Sequence, residues 1–254
     1  MLPNTIQYQI DFWDSFAKES LKFPGAFAFV TGLQTPLLNL LVLEQQNLDT
    51  LQLVLPRVES FFGEHNVPWG VNIIDGRSSK EIICFLKNND FKNICAQFQM
   101  QTRLDALTNN FVDQHNIKQV TDSDMLLDWM IPVANAFEAT ASDSIMYREL
   151  VANAFNKEKN TFEHFVLYIN NKPVSSATLT ITNEVARLDN VATVKKLQNQ
   201  GFGKQIIAFS VERARNAGAK HIFFESSEAG IHLYKKMGFI EINTSSIYSM
   251  SKIL

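Results

Sequence analysis

Residues 191–203, VATVKKLQNQGFG, stand at the joint between two runs of different period. Before the loop, 187–194 (RLDNVATV) alternates as a strand does. After it, 202–218 (FGKQIIAFSVERARNAG) has the spacing of an amphipathic helix that stops at Gly218. Gln198, Gly201 and Gly203 form a Q-x-x-G-x-G loop at the helix start. Two glycines remove side chains there, so backbone N–H groups are free to close around a phosphate. A cradle of this kind after a strand points to a nucleotide-like ligand. Two familiar phosphate motifs do not fit. A dinucleotide fingerprint needs a third small residue where Ile206 stands, and a P-loop needs Ser or Thr where Gln205 follows Gly203-Lys204.

A second segment lies downstream. Residues 221–239 read HIFFESSEAGIHLYKKMGF: an apolar strand-like run, a short helical run, then Gly238-Phe239 to end the helix and open another strand. The two segments, in this order, resemble motifs A and B of the GNAT superfamily of N-acetyltransferases. Motif A is a strand followed by Arg or Gln-x-x-Gly-x-Gly or Ala, and it forms an acyl-CoA loop. Motif B is a small residue, then Leu-Tyr, then Gly-Phe. The chain departs once, with Lys195 where the family often has Pro. The resemblance covers about residues 115–254.

Composition is compatible with this. The chain has 254 residues, 46% of them hydrophobic, enough for two domains of roughly 100–150 residues each. A net charge of −3, with no basic stretch interleaved with stacking aromatics, gives no reason to expect nucleic acid. Cys84 and Cys95, both in apolar stretches, read as core thiols rather than a disulfide framework, and suit a reducing compartment. No C-x-x-C and no His pair at ligand spacing suggests a metal site. The first residues have neither the basic start nor the apolar core of a signal peptide. The longest apolar run, 36–43, contains Asn39 and is too short for a bilayer. A soluble cytoplasmic protein that engages no membrane is expected.

The C-terminal half reads as strand 117–120, a helix over 124–138 capped by Asp122 or Ser123, and a second helix ending near Phe155. Strands at 162–169 and 174–181 follow, joined by a tight turn at 170–172. Then come the motif A strand and helix and the motif B strand, helix and strand. This order matches the GNAT fold. In the N-terminal half, 26–30, 37–43 and 71–74 read as strands. A helix lies around 50–63 with Pro56 in it, 80–87 reads as a short helix, and 91–98 leads into a strand. The string FLKNNDFKNI at 85–94 parallels LYKKMGFIEI at 233–242, with Leu86 in the place of Tyr234. No Q-x-x-G-x-G precedes the first string, and 45–56 lacks glycine altogether. The expected architecture is therefore an α/β (α+β mixed sheet) tandem of two GNAT-like domains, each a mostly antiparallel sheet flanked by helices. The division is 1–103 for a degenerate first copy, 104–116 for a linker and 117–254 for a catalytic copy. A tandem of this kind replaces the dimers of single-domain relatives, which favours a monomer.

The resemblance also implies roles. Ala192, Thr193 and Val194 would offer a strand edge to the pantetheine amides of acetyl-CoA. Gln198 occupies the Arg/Gln position, and Asn199, Gln200, Gly201, Phe202, Gly203 and Lys204 would surround the pyrophosphate. Ser227, seven residues before Tyr234, stands where many relatives have a CoA-binding Asn. Tyr234 would be the general acid for the leaving thiolate, since a phenol keeps its proton at neutral pH. Some relatives have a Glu base twelve residues before the motif B tyrosine, and here that position is Ile222. Glu184, Asp189 and Glu225 remain as bases, with Asp189 favoured, acting through water. Neither a Ser-His-Asp arrangement nor a nucleophile elbow is visible, so direct transfer in a ternary complex is expected. The loop 136–144, with Glu138 and Asp143, would face a small-molecule or peptide amine acceptor. Two other readings stay open: a non-catalytic acyl-CoA sensor, and an acyltransferase using a longer acyl-CoA.

Overall fold

The structure, a computed structural model, describes residues 5–75, 80–107, 116–155 and 162–250. It divides into two compact units that interleave in sequence. The N-terminal unit takes residues 1–99, 226–228 and 242–254, and the C-terminal unit takes 100–225 and 229–241. The sequence division at 103 and 117 is thus not the contact division. Strand β5 (Lys92–Arg103) spans the boundary, and most of β11 (Ile240–Ser249), the last strand, is counted with the first unit. Most of the expected linker at 104–116 lies outside the described residues. Its start, Leu104–Ala106, is a 3-10 turn whose Leu104 carbonyl accepts two N–H bonds from Arg215, at 3.0 and 2.7 Å.

In the N-terminal unit, α1 (Thr5–Phe16) and β1 (Glu19–Phe23) precede β2 (Ala26–Val30), β3 (Leu40–Leu43), α2 (Leu48–Glu64), β4 (Gly70–Ile74) and α3 (Lys80–Asn88). Strands β1, β2 and β3 pair antiparallel in order, β3 and β4 are parallel, and β4 pairs antiparallel with β11. Leu51, Val54, Val58 and Phe62 make one apolar stripe of α2, which packs with Ala28, Leu41, Val71 and Ile73 of the sheet in a single buried cluster. Sequence reasoning had no element for α1 or β1. Cys84 corrects another expectation. It is exposed, because α3 turns Ile82 and Leu86 inward and leaves position 84 on the outer face.

β3 starts at Leu40, three residues later than expected, because Asn39 takes over the backbone bonding of the preceding loop. Its fully buried Oδ1 accepts from Thr31 N–H at 2.9 Å, and its Nδ2 donates to the carbonyls of Leu33, Thr35 and Pro68 at 2.8, 3.0 and 2.9 Å. A polar residue in an apolar run here ties the β2–β3 loop to the α2–β4 loop.

In the C-terminal unit, β6 (Ile117–Gln119), β7 (Phe162–Ile169), β8 (Lys172–Thr182) and β9 (Val185–Thr193) pair antiparallel in that order, and β10 (His221–Ser226) joins β9 in parallel. Asn170 and Asn171, at φ 49° and 59°, make the β7–β8 turn with two left-handed residues, the twist that a two-residue hairpin needs. α4 (Ser123–Ala136) and α5 (Ala141–Phe155) follow β6; α6 (Phe202–Asn216) follows β9, and α7 (Ile231–Lys236) follows β10. The neighbours His164 and Phe165 take opposite faces of the sheet. His164 meets Trp129 of α4 at 4.8 Å between ring centroids, and Phe165 meets Phe209 of α6 at 5.0 Å. The sheet is thus covered by α4 on one face and α6 on the other.

The repeat is visible in bond geometry. Phe91 N–H donates to Leu86 O at 3.0 Å around left-handed Asp90, and Phe239 N–H donates to Tyr234 O at 3.1 Å around left-handed Gly238. The same helix stop is built twice.

Asn39→Ala strands the buried Leu33 carbonyl and Thr31 N–H and the part-buried carbonyls of Thr35 and Pro68, so it should lower unfolding free energy by roughly 2–4 kcal/mol in chemical denaturation. A change below about 0.5 kcal/mol would mean that water replaces the amide without loss.

Candidate active site

The site begins with a fault in the sheet. Ser176 pairs with Ala192 and Thr178 with Asp189, so β9 spends one residue more than β8 across this interval. The surplus is a β-bulge with Asn190 at φ 52°. Two hydrogen bonds hold Asn190: its Oδ1 accepts from the Tyr147 hydroxyl of α5 at 2.8 Å, and its Nδ2 reaches Thr178 Oγ1 at 3.5 Å. On the other side, β9 pairs with β10 only over Val185–Arg187 and His221–Phe223. Among the described residues the ladder goes no further, although β9 runs on to Thr193 and β10 to Ser226. The two strands part, and the β9 edge from Leu188 to Thr193 faces the gap. Ala192 is buried on this stretch, Thr193 half-buried and Val194 buried at its end.

The loop beyond the gap is fastened from both sides. Lys195 N–H donates to Asn135 Oδ1 at 2.7 Å, and its ammonium pairs with Glu138. Gln198 folds back so that Nε2 donates to Thr193 O at 3.1 Å. Asn199 and Gly201 are left-handed, at φ 62° and 91°. Gly201 is the N-cap of α6 without a side-chain cap, and the first turn holds no acidic residue. The first intrahelical bond back to the cap is Gln205 N–H to Gly201 O at 3.0 Å, so the N–H groups of Phe202, Gly203 and Lys204 have no helical acceptor. With the positive end of the helix dipole, they form an anion seat. Asn199, Gln200 and Lys204 are exposed there, and among the described residues the Lys204 ammonium has no ion pair. By contrast, Asn47, Asp122 and Thr140 side chains accept the first-turn N–H groups of Thr50, Met125 and Asp143 in α2, α4 and α5.

Tyr234 sits on α7, packed on Phe224 at 4.3 Å and edge-on to Phe239 at 5.8 Å. It is only 7% exposed. Burial, and then the charge of Asp189, push its pKa upward, so the phenol is held protonated. Asp189 is gripped by Arg187, whose Nε and Nη2 each donate to one carboxylate oxygen at 2.9 Å, while Nη2 also reaches Glu225 at 3.5 Å. Burial raises the Asp189 pKa against the pull of Arg187.

The remaining predicted residues lie elsewhere. Glu184, five residues and roughly 16 Å of strand before Asp189, pairs with Lys220 in the exposed turn that opens β9. Ser227 is exposed directly after β10, where its carbonyl accepts from Ser226 Oγ at 2.8 Å. Both loop carboxylates are engaged locally, Glu138 by Lys195 and Asp143 by the Thr140 hydroxyl at 2.7 Å. Arg187 and Tyr147 were not foreseen. The alternation Arg187, Asp189 on one strand face was the available signal for the first. The second comes from a helix with no sequence link to the bulge.

The N-terminal unit has the same order of parallel strand pair and helix without the same opening. β3 and β4 pair over Leu40–Val42 and Gly70–Asn72, nearly the whole of β3. Gln46 ties the strand ends together, accepting from Ile74 N–H at 3.2 Å and donating to Leu43 O at 2.7 Å. Asn47 then caps α2, and Asp49 places a negative charge in its first turn. An anion has no seat there.

Comparison with known proteins agrees with this geometry. Residues 125–239 match the family model described as Acetyltransferase (GNAT) family. A curated relative, the uncharacterized N-acetyltransferase YvbK of Bacillus subtilis (strain 168), is 36% identical over 59 residues, which is 22% of this chain and 38% of that protein. The alignment thus spans well under half of the relative's length. Across nearly the whole chain, the fold is similar to a GCN5-related N-acetyltransferase from Kribbella flavida (TM-score 0.74, 12% identity, 96% of this chain and 93% of that one). It is also similar to a tandem GNAT protein from the clavulanic acid biosynthesis pathway (TM-score 0.61, 9% identity, 94% and 86%). No helix among the described residues is long and apolar enough to cross a membrane.

His164, under α4, has its Nδ1 at 2.8 Å from Thr178 Oγ1, and burial lowers its pKa from 6.5 to about 4. Between those values the unfolded chain takes up a proton that the folded protein refuses. The stability from this residue is present above pH 6.5 and is lost as pH falls toward 4, by roughly 3 kcal/mol in all. Denaturation curves from pH 7 to 4 should show a flatter decline for His164→Gln than for the wild type. Parallel declines would show that His164 titrates normally.

Proposed function

We propose that the C-terminal unit, whose residues 125–239 match the GNAT acetyltransferase family model, is an acetyl-CoA-dependent N-acetyltransferase. The acceptor is a primary amine of a small molecule or peptide, and transfer is direct. One observation carries the reading: the parting of β9 from β10 leads straight to the start of α6, whose N-cap Gly201 offers no side-chain acceptor to the first N–H groups. A strand edge suits an extended chain of amides, and a free helix N-terminus suits a pyrophosphate.

In this reading Ala192, Thr193 and Val194 pair with pantetheine, and the N–H groups from Asn199 to Lys204 receive the pyrophosphate. Gln198 keeps the loop in shape, Lys204 adds positive charge, and Ser227 offers a hydrogen bond to the cofactor. The amine nitrogen attacks the thioester carbon, the new N–C bond forms and the C–S bond breaks. Asp189 receives the proton leaving the amine, through water. Tyr234, kept protonated by its burial, donates a hydrogen bond to the departing sulfur. The N-terminal unit, with the start of α2 capped by Asn47, is not a second acyl-CoA site in this reading.

Gly203 permits a clean test. A Cβ at this position would lie 3.4 Å from Thr193 Oγ1 and 3.6 Å from Leu233 Cδ2, ordinary contacts, and an acidic side chain in a first helical turn is favourable. Gly203→Glu should therefore fold normally yet place a carboxylate in the anion seat. Calorimetric titration with acetyl-CoA should show affinity falling by roughly 100-fold, about 3 kcal/mol. A wild type that binds none of acetyl-CoA, succinyl-CoA and free CoA would sink the assignment.

Tyr234→Phe keeps the packing on Phe224 and Phe239 and removes only the hydroxyl. It should bind acetyl-CoA as the wild type does while turnover drops by roughly 100-fold. Equal turnover would remove Tyr234 from the chemistry.

A further inference from the structure

The grip on Asp189 is unusual in its sharing. Arg187 is 6% exposed and spends two N–H groups on Asp189 at 2.9 Å each, while the same Nη2 that serves Asp189 also lies 3.5 Å from Glu225. Its guanidinium stands over the Phe223 ring, 5.5 Å from the centroid, so packing as well as charge fixes its plane. The three charged groups sit on paired strands: Arg187 and Asp189 two residues apart on β9, Glu225 two residues beyond Phe223, the partner of Arg187 on β10. Thus the last rung of the ladder before the strands part is the rung that carries the guanidinium. Two carboxylates then compete for it at the mouth of the gap.

We propose that Arg187 is a positioning residue which aims the Asp189 carboxylate into the gap, and that Glu225, by drawing on the same guanidinium, sets the pH range over which Asp189 accepts a proton. The proposal rests on the reading of this gap as the transfer site. A bidentate pair fixes the plane of a carboxylate, which a single hydrogen bond leaves free to rotate. It also favours the ionised form, and unshared it would leave a weak base. Glu225 opposes it in two ways, by its own negative charge and by its claim on Nη2. The other groups that face Asp189 come from the remaining elements. Tyr147 of α5 and Tyr234 of α7 both feel its charge and are both neutral phenols, and β8 presents Thr178, an uncharged partner in register. Among the described residues, Arg187 and Glu225 are accordingly the charged groups that act on it. The raised Asp189 pKa, with burial and Glu225 on one side and Arg187 on the other, has the sign this balance requires.

The test reads the carboxylate itself. Protein labelled with ¹³C at the aspartate carboxyl is titrated by NMR, with Asp189 assigned from the resonance missing in Asp189→Asn. Glu225→Gln frees Arg187 for Asp189 and removes a like charge, so the midpoint should move to lower pH by about one unit. Arg187→Lys keeps the charge but loses the fork, so the midpoint should move upward. If it fails to fold, as judged by circular dichroism, the Glu225→Gln result decides alone. A midpoint unmoved in Glu225→Gln overturns the proposal. Release of free thiol from acetyl-CoA, with spermidine and a tripeptide as amine probes, then separates the two layers. A midpoint that moves while Asp189→Asn keeps full turnover upholds the tuning and rejects Asp189 as the base. With a catalytic Asp189, the acidic limb of the rate profile moves with the NMR midpoint.

Discussion

The C-terminal unit depends on two strands that stop pairing. A parallel ladder that ran to the ends of β9 and β10 would consume the free edge of β9 and close the space before the loop that leads into α6. Instead the pairing ends at Arg187 and Phe223, and a bulge at Asn190 turns β9 away. A left-handed asparagine costs little when its side chain is bonded. Here Tyr147 reaches it from α5 and Thr178 from β8, so the distortion is held by groups on two other elements. The loop and helix that follow inherit their position from this divergence. Gly201 supplies the left-handed cap, and no side chain competes for the first N–H groups of α6.

The N-terminal unit shows what the same scaffold does when the constraint is relaxed. Its helix stop at Leu86, Asp90 and Phe91 reproduces the one at Tyr234, Gly238 and Phe239 bond for bond. Its parallel pair does not part. Gln46 joins the strand ends, and Asn47 with Asp49 satisfies the helix start with oxygen atoms of the chain itself. Capping stabilises a helix by about 1 kcal/mol, a gain open only to a helix end that has no anion to receive. α6 forgoes that stabilisation. The contrast between the two helix starts is thus a contrast between stability and binding, written in four or five residues.

Buried polarity divides in the same way. Asn39 is satisfied at both ends of its amide by two loops, and it makes the N-terminal unit more determinate. Arg187 with two carboxylates is a different case. Burying such a group is costly, and hydrophobic replacements of comparable volume often serve stability as well or better. A cluster of this sort beside a protonated Tyr234, at the end of an opened ladder, fits chemistry better than it fits folding.

Much of the architecture was legible along the chain. The strand at 162–169, the paired asparagines after it, the motif A and B segments and the echo at 85–94 are all local patterns, and each sits where its pattern placed it. Local patterns succeed because side-chain period, turn chemistry and helix capping act within a few residues. The glycine at 201 was legible too: it takes the left-handed cap without strain and brings no side chain to the first N–H groups of α6. It was silent where the deciding partner is remote. α1 and β1 lacked a clear period. Cys84 read as a core residue until the face of α3 was known. Nothing in the order of residues announced that β11 would pair with β4, that Gln198 would bond Thr193 O instead of facing outward, or that Asp189 would be shared with Glu225 through Arg187. Those are contacts between strands and helices tens of residues apart, and only the closing of the chain on itself decides which charge meets which.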